Sequence, residues 1–327
     1  MRKLILINFI LAVSLVILPQ PLFAQKQSQC DDVANRGHIN VLTINLLFSE
    51  LQERNTRLQR IADFAEQQYR SGEPVDLILL QEVIGGPLAG TINASTDLKN
   101  MLARKRLGYN LRYRIANGVP GLATVGNAIL SRCEVLFSLA QDLPFVSEEV
   151  FQDVSITLKR KVIMIYIKVP HYGRLSVYDT HLCAYCNPDD RFIQTEVLLD
   201  FVNSVENFVP GANPVILGGD FNSNVKVPEE LPVYNLVTTG NGFIDTYAVF
   251  NGCFDCCNPP DISGCTYAIP GNPFAFDLFT GLPGDTVRID YIFSRDLGSV
   301  LNSVVVFNTA PDWVSDHSGV LTSINLR

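Results

Sequence analysis

At six places in this chain a run of apolar residues gives way to polar or charged ones, and this pattern restricts the fold more than any other feature of the sequence. The polar positions are Asn45, Glu82, the trio Asp179-Thr180-His181, Asp220 with Asn222, Asp290, and Asp316-His317. Val215 to Leu217 reads as a buried strand, after which Gly218 and Gly219 allow a close backbone approach or a sharp turn before Asp220 and Asn222. Ile39 to Phe48 alternates as a strand, with Ile39, Val41, Thr43 and Asn45 on one face and Leu42, Ile44 and Leu46 on the other. Both faces are largely apolar, so the strand is central and covered on both sides. Val75 to Gln81 reads the same way and ends in Glu82, a carboxylate that an apolar interior does not accept without compensation.

Each polar position has an ordinary reading when taken singly. Glu82 leads a loop, His181 is a satisfied core histidine, Asp290 pairs with neighbouring Arg288, Asp316 caps a turn with Ser318, and Asp220 with Asn222 forms an Asx turn. Their joint occurrence where buried strands stop points instead to one shared site. Two of the four histidines, His181 and His317, belong to the set, whereas His38 and His171 lie in polar turns and are expected to face solvent.

Helical spacing separates the strands. Leu58, Ile61, Ala62, Ala65 and Tyr69 fall on one helix face, and Leu98, Met101 and Leu102 on another that Ser95 or Thr96 would cap. Leu198, Phe201, Val202, Val205 and Phe208 form a third stripe, opened by Asn187-Pro188-Asp189-Asp190. Further strands are expected at 127–132, 162–169, 175–181, 287–293 and 304–307 and from Val320 onward, while residues 225–286 read as ordered, cross-linked loops. Strands interleaved with helices in this way predict a layered α/β domain. No repeat or low-complexity linker divides it.

Arg2 and Lys3 precede an apolar run from Leu4 to Leu18, then Pro19, Pro21 and Ala24. Residues 1–24 therefore read as a signal peptide, with an uncleaved anchor as the alternative, and residues 25–327 as the mature domain, secreted or periplasmic. All eight cysteines lie beyond residue 24, an even number that suits disulfides in an oxidising compartment. Zinc is the rival reading, because Cys183-x-x-Cys186 and Cys253-x-x-Cys256 have ligand spacing. The net charge of −8 provides no global basic field for nucleic acid or anionic lipid. Lys99, Arg104, Lys105, Arg106, Arg112 and Arg114 nevertheless cluster, either as a solvated face or as a contact for phosphates or headgroups. Asn93-Ala94-Ser95 is a glycosylation sequon, relevant only in a eukaryotic secretory host.

The chemistry that suits the six positions is hydrolysis of a phosphate ester. A carboxylate such as Glu82 with nearby amides offers the hard oxygen ligands that Mg²⁺ prefers. A histidine backed by a carboxylate serves as general base near neutral pH, and Asn and His donors meet charge on phosphoryl oxygens. The sequence offers no Gly-x-Ser-x-Gly elbow or isolated reactive cysteine as a covalent nucleophile.

From about Ile39 to the C-terminus the order of motifs resembles the endonuclease/exonuclease/phosphatase, or DNase I-like, superfamily. The resemblance rests on Asn45, Gln81-Glu82, Asn127 to Arg132, Thr180-His181-Leu182, Arg191 with Gln194, Gly219-Asp220-Phe221-Asn222, Arg288 to Ile292, and Ser315-Asp316-His317. It implies an α/β four-layer sandwich of two packed mixed β-sheets flanked by helices. It further implies Mg²⁺, with Mn²⁺ as the alternative, on Glu82 with Asn45 and Asp316. His317 would activate water, oriented by Asp290, while Asp220 and Asn222 would position water or leaving group and bind phosphate. His181 would stabilise the transition state or assist the departing oxygen.

The implied substrate is a phosphodiester, with sphingomyelin or a related phospholipid headgroup, reached by peripheral membrane contact, favoured over nucleic acid cut by a DNase I-like nuclease; a non-catalytic binding module on the same fold is the last alternative, and nothing calls for a protein partner. Gly264-Cys265-Thr266-Tyr267, Asn272 and Arg288-Ile289-Asp290-Tyr291 are similar to a run in neutral sphingomyelinases. Two departures stand against that branch. Gln81 occupies the place where bacterial sphingomyelinases carry Asn, and no clear aromatic hairpin for membrane contact is present beyond Phe274-Ala275-Phe276 with Leu278-Phe279.

Overall fold

The computed structural model describes residues 30–48, 51, 53–145, 148–151, 154–156, 158–209, 214–276 and 284–326. The expected signal peptide and Leu278-Phe279 lie outside these residues. The chain begins with α1 (Val33–Arg36), β1 (His38–Asn45), α2 (Arg54–Arg70), β2 (Leu77–Gly86), β3 (Thr91–Asn93) and α3 (Ala94–Arg104). Next come β4 (Asn110–Val119), β5 (Ala123–Ser131), β6 (Glu134–Asp142), a small hairpin of β7 (Glu148–Phe151) and β8 (Val154–Ile156), β9 (Lys161–Val169), β10 (Gly173–His181) and α4 (Pro188–Phe208). The C-terminal third holds β11 (Val215–Asp220), α5 (Leu231–Val237), β12 (Ile244–Asp245), α6 (Thr246–Asn251), β13 (Asp290–Arg295), β14 (Val300–Val306) and β15 (Gly319–Asn325).

Two mixed sheets form, in the orders β14-β15-β1-β2-β5-β4, with β3 beside β2, and β12-β13-β11-β10-β9-β6. Each contains one parallel pair, β1 with β2 and β10 with β11. Strand alternation explains how the layers stack. Ile39 and Val41 of β1, Leu77 and Leu79 of β2, Val177 of β10 and Ile216 of β11 share the core between the sheets. Leu42, Ile44, Ile78 and Leu80 point the other way, onto α2 and α3, and Tyr178 and Leu217 pack with residues of α4 and α5. The result is the four-layer order of helices, sheet, sheet and helices.

Several local expectations change. Asn93, not Ser95 or Thr96, caps α3: its Oδ1 accepts from the Thr96 amide at 2.8 Å and from Ser95 Oγ at 2.6 Å, which occupies the buried sequon asparagine in the fold. Phe208, expected on the buried stripe of α4, is the last helical residue and stands exposed. Tyr69 is likewise exposed, with the Arg132 guanidinium 5.8 Å from its ring centroid. Residues 225–286 include α5, β12 and α6, elements too short to show periodicity. His38 does not face solvent freely; its Nε2 lies 2.6 Å from Glu73 Oε2.

All eight cysteines are paired, as Cys30–Cys133, Cys183–Cys186, Cys253–Cys256 and Cys257–Cys265. The two Cys-x-x-Cys pairs each close on themselves, which overturns the zinc reading. The basic cluster also disperses: Lys105 pairs with Asp63 and Glu66, Arg114 Nη2 donates to Ser138 Oγ at 3.0 Å, and none of the six lines the large cleft. No helix among the described residues is long and apolar enough to cross a membrane.

Candidate active site

The same alternation that builds the core delivers the polar residues to one place. Counting by twos from Ile39 and Val41 reaches Thr43 and Asn45; from Leu77 and Leu79, Gln81; from Val177, Asp179 and His181; from Ile216, Gly218 and Asp220. Residues of that parity face the gap between the sheets, and where the apolar layer ends they open into a cleft of about 840 Å³. Asp290 reaches it from β13 by pairing with Asp220.

Glu82 has the opposite parity to Leu79 and Gln81 and would face the helices in a regular strand. A bulge between Leu80 and Val83 and a left-handed backbone at Glu82, φ 54°, turn it into the cleft. There its Oε2 accepts from the Phe48 amide at 2.9 Å. Gly219 is equally constrained: its φ is 138°, and a Cβ there would stand 2.0 Å from the Thr180 carbonyl oxygen. A Cβ on Gly218 would meet Leu79 Cδ1 of the facing sheet at 2.6 Å.

All eight expected site residues come together. His317 Nδ1 lies 2.8 Å from Asp290 Oδ2, and its Nε2 is 3.7 Å from Asp220 Oδ2. The same Asp220 oxygen accepts from Asn45 Nδ2 at 3.0 Å and is 3.5 Å from His181 Nε2, so it stands between the two imidazoles. Asn222 donates its amide to Asp220 Oδ1 at 2.9 Å and Nδ2 to the Leu182 carbonyl at 3.0 Å. Asp316 Oδ1 accepts from Ser315 Oγ at 2.9 Å. Asp290 does not pair with Arg288, whose Nη2 instead holds Asp245 Oδ2 at 2.7 Å.

The run quoted for the sphingomyelinase resemblance lies behind these groups. Thr266 Oγ1 accepts the Ile289 and Asp290 amides, both at 3.1 Å, and Asn272 Nδ2 donates to the Ser315 carbonyl at 2.8 Å. Arg191 and Gln194 fix the segment after His181, through the Cys183 and Ala184 carbonyls and the Cys183 amide. Phe274, half-buried, packs with Ile269 and Trp313, while Phe276 is exposed at the cleft.

Burial and like charge shape the titration of the site. Burial pushes the Asp220 carboxyl up to about 7, with Asp290 adding to the rise, and burial followed by the Asp316 charge raises Glu82. Asp316 is also raised by burial. Burial opposes the charged form of His317, but Asp290, Asp220 and Asp316 outweigh it and hold its pKa well above the usual histidine value. His181 goes the other way, held well below that value by burial, then by Arg160 and His317.

Such a concentration of carboxylates fits a divalent cation. Glu82, Asp316 and Asn45 supply hard oxygen donors, and the Asp316 charge adds to the rise that burial gives Glu82. Asp220, Asp290 and His317 also place potential ligand atoms within 4.8 Å of one another. That set is the weaker fit for Mg²⁺, because it includes an imidazole whose Nδ1 already holds an Asp290 oxygen.

Residues 42–317 match the Endonuclease/Exonuclease/phosphatase family, and the chain belongs to it. Members of the family are hydrolases of phosphoester bonds that generally use divalent metal ions. Among solved structures, a family protein from Leptotrichia buccalis C-1013-b is similar at 21% identity and TM-score 0.60, covering 88% of this chain and 99% of that one. The mannosyl-6-phosphatase of Bacteroides thetaiotaomicron VPI-5482 gives 18%, 0.60, 88% and 99%. Truncated Caenorhabditis elegans TDP2 gives 17%, 0.56, 88% and 97%. These likenesses concern the fold. No curated protein matches the chain.

Sequence reasoning missed Arg160 at the site, and it quoted Asn127, Gln81 and Asp179 in motifs without giving them a role. Arg160 Nη1 lies 3.1 Å from His181 Nε2, and Asn127 lines the cleft and donates to the Lys161 carbonyl at 3.1 Å. Beneath them, Gln81 Nε2 donates to Asp179 Oδ1 at 2.5 Å and to Thr43 Oγ1 at 3.1 Å, and burial raises the Asp179 carboxyl well above its usual range. The clue to Arg160 was the basic run Lys159-Arg160-Lys161 immediately before an apolar strand.

Proposed function

We propose that the chain is an exported, Mg²⁺-dependent phosphodiester hydrolase that acts on sphingomyelin or a related phospholipid headgroup. The observation that carries the hydrolase reading is the His317–Asp290 pair at 2.8 Å, beside Asp220 in the cleft that Glu82 and Asp316 also line. Glu82, Asp316 and Asn45 would hold Mg²⁺, or Mn²⁺. A divalent ion there would supply positive charge against the phosphoryl oxygens.

The protein's own groups do the rest. Asp220 and Asn222 position the attacking water and the phosphate. A water oxygen bonds to phosphorus as the bond to the departing oxygen breaks, and the water proton passes to His317 Nε2. Asp290 fixes the tautomer and stabilises the imidazolium that forms. Neutral His181 donates a hydrogen bond to a phosphoryl oxygen, and the departing oxygen takes its proton from water. With Glu82 and Asp316 charge-compensated, His317 experiences less negative field and returns towards the range in which a histidine accepts a proton.

The lipid preference is supported by the Thr266, Asn272 and Asp290 arrangement and by Phe48, Tyr185 and Phe276 along the cleft. Lys159, Arg160 and Lys161 at its rim favour a second reading, a nuclease. Export rests on residues 1–24 and suits four disulfides. Sphingomyelin micelles, plasmid DNA and inositol phosphates, assayed in parallel with and without EDTA, separate these readings. Turnover of sphingomyelin, abolished by EDTA, is expected; faster turnover of plasmid DNA would transfer the assignment to the nuclease.

A further inference from the structure

We infer that Asp179 and Gln81 form a neutral acid–amide pair that joins the two sheets beneath the site, and that Asp179 is thereby a positioning residue, setting Glu82 on one sheet against His181 and Asp220 on the other. The inference rests on the hydrolase reading and gives a task to two buried side chains that do not line the cleft. It begins with parity. Gln81 follows Leu79 on β2, and Asp179 stands between Val177 and His181 on β10, so both side chains enter the gap between the sheets just below the cleft. Asp179 is opposite Gly218 of β11, where a Cβ would stand 2.6 Å from Leu79 Cδ1 of the facing sheet. The sheets therefore approach closely at this level.

The atoms left over decide the protonation. Gln81 Nε2 donates to Asp179 Oδ1 at 2.5 Å and to Thr43 Oγ1 of β1 at 3.1 Å, which uses both amide hydrogens. Asp179 Oδ2 and Gln81 Oε1 are buried and have no partner. While the carboxyl is ionised both are acceptors, so neither can satisfy the other. A proton on Oδ2 makes it a donor, and the acceptor still open on its own partner is Oε1. Acid and amide then meet through two complementary hydrogen bonds, one in each direction.

The surroundings favour that proton. Asp179 is fully buried, and no cation bonds to it among the described residues. Burial raises its carboxyl well above the usual range; the Gln81 bond opposes the rise, and the Asp220 charge on β11 adds to it. Thr43 on β1 and Gly218 on β11 carry no charge, and His181 on β10 is held in its neutral form by burial and Arg160. Apolar side chains of similar shape would fill this gap without polar atoms to satisfy, so the pair costs stability that mere packing does not require. What it supplies is a directional link between the strand whose bulge carries Glu82 and the strand that ends at His181. Asn45 Nδ2 to Asp220 Oδ2, at 3.0 Å, is a second such link nearer the cleft. A neutral pair makes the connection without placing another negative charge beside Asp220.

The test compares wild type with Asp179→Asn, which keeps the two-way pairing with no proton to lose, and Asp179→Leu, which keeps the shape and removes the pairing. Urea midpoints of wild type and Asp179→Asn should converge towards about pH 4, where the unfolded carboxyl becomes protonated as well. As pH rises from there the unfolded carboxyl ionises and the folded one does not, so the wild-type midpoint should fall relative to Asp179→Asn until the folded carboxyl ionises. At neutral pH the wild-type infrared spectrum should carry a protonated-carboxyl C=O band that Asp179→Asn lacks. Asp179→Leu, with its melting temperature held, should lose about 10- to 100-fold in kcat on bis(4-nitrophenyl) phosphate and bind Mg²⁺ more weakly by calorimetry, as when a residue that orients a metal ligand is removed. Asp179→Asn should keep most of both. Midpoints that stay parallel across pH, or an absent band, overturn the neutral pair, and these two readouts carry the test if the leucine variant does not fold. Wild-type kcat and Mg²⁺ affinity in folded Asp179→Leu overturn the positioning role. A wild type that shows the divergence and the band yet turns over no phosphodiester overturns the hydrolase reading alone.

Discussion

Replacing His317 by Ala is expected to lower turnover by about 10³- to 10⁴-fold and to leave the melting temperature close to wild type. His317 sits at the cleft, its ring centroid 4.8 Å from that of Tyr267, with Nδ1 committed to Asp290 and Nε2 left for the proton of the attacking water. Removing the ring deletes the proton acceptor but disturbs no strand, because the backbone at 316–318 is held by bonds from Ala268 to the Asp316 carbonyl and from Ser318 to the Thr266 carbonyl. Asp290→Asn should approach the same loss, since an amide can present its NH₂ to Nδ1 and favour the wrong tautomer. Steady-state kinetics beside thermal denaturation checks both. Near-normal turnover in a folded His317→Ala protein contradicts the assignment of the base.

The second large effect concerns stability. Asp76 is fully buried and accepts from Arg36 Nη2 at 2.8 and 2.9 Å, Arg132 Nη1 at 2.7 Å and the Asn40 amide at 2.9 Å. Burial pushes its carboxyl up, and the two guanidinium charges oppose that rise. Asp76→Ala leaves both guanidinium groups near-buried with only Asp32, itself 40% exposed, as the remaining carboxylate partner of each among the described residues. Breaking a buried ion pair by removing one partner costs about 3–5 kcal/mol, and the shift of the denaturation midpoint in urea should report a loss of that size. An exposed pair is a useful control. Glu66→Gln weakens contacts with Lys105 and Arg70 at the surface of α2 and should leave the urea midpoint close to that of the wild type.

The central strands were legible because burial on both faces writes continuous apolar runs. β1, β2, β9, β10 and β11 are of this kind, and the polar residues that interrupt them are the ones that gather at the cleft. β4 and β6 escaped notice for the complementary reason. Both are edge strands with largely half-buried or exposed residues, so Arg112, Arg114, Glu134 and Gln141 break any apolar signature. Phe208 misled because helical spacing continues to the end of α4 while the surface beneath it does not.

At the site, residue identity was easier to read than residue direction. Asn45, His181, Asp220 and Asp290 reach the cleft by strand parity, which a sequence displays. Glu82 reaches it only through a bulge and a left-handed φ, neither of which has a clear sequence mark. Arg160 and Asp76 were passed over because they stand at the starts of strands, and antiparallel pairing of β9 with β10 is what places such a start beside His181. The opposition of Asp290 to Arg288 seemed plausible from their proximity in sequence. Arg288 lies before β13 begins, and its guanidinium goes to Asp245 while Asp290 goes to His317.

The central claim is that hydrolysis at this cleft requires a divalent cation held by Glu82. Turnover of bis(4-nitrophenyl) phosphate by EDTA-stripped wild type and Glu82→Gln, followed through a Mg²⁺ titration, tests it most directly. Wild-type activity should be lost on stripping and return saturably with Mg²⁺, while Glu82→Gln, folded to the same melting temperature, should require far more Mg²⁺ or stay inactive. Turnover that survives EDTA, or a Glu82→Gln titration that overlays the wild type, would contradict it.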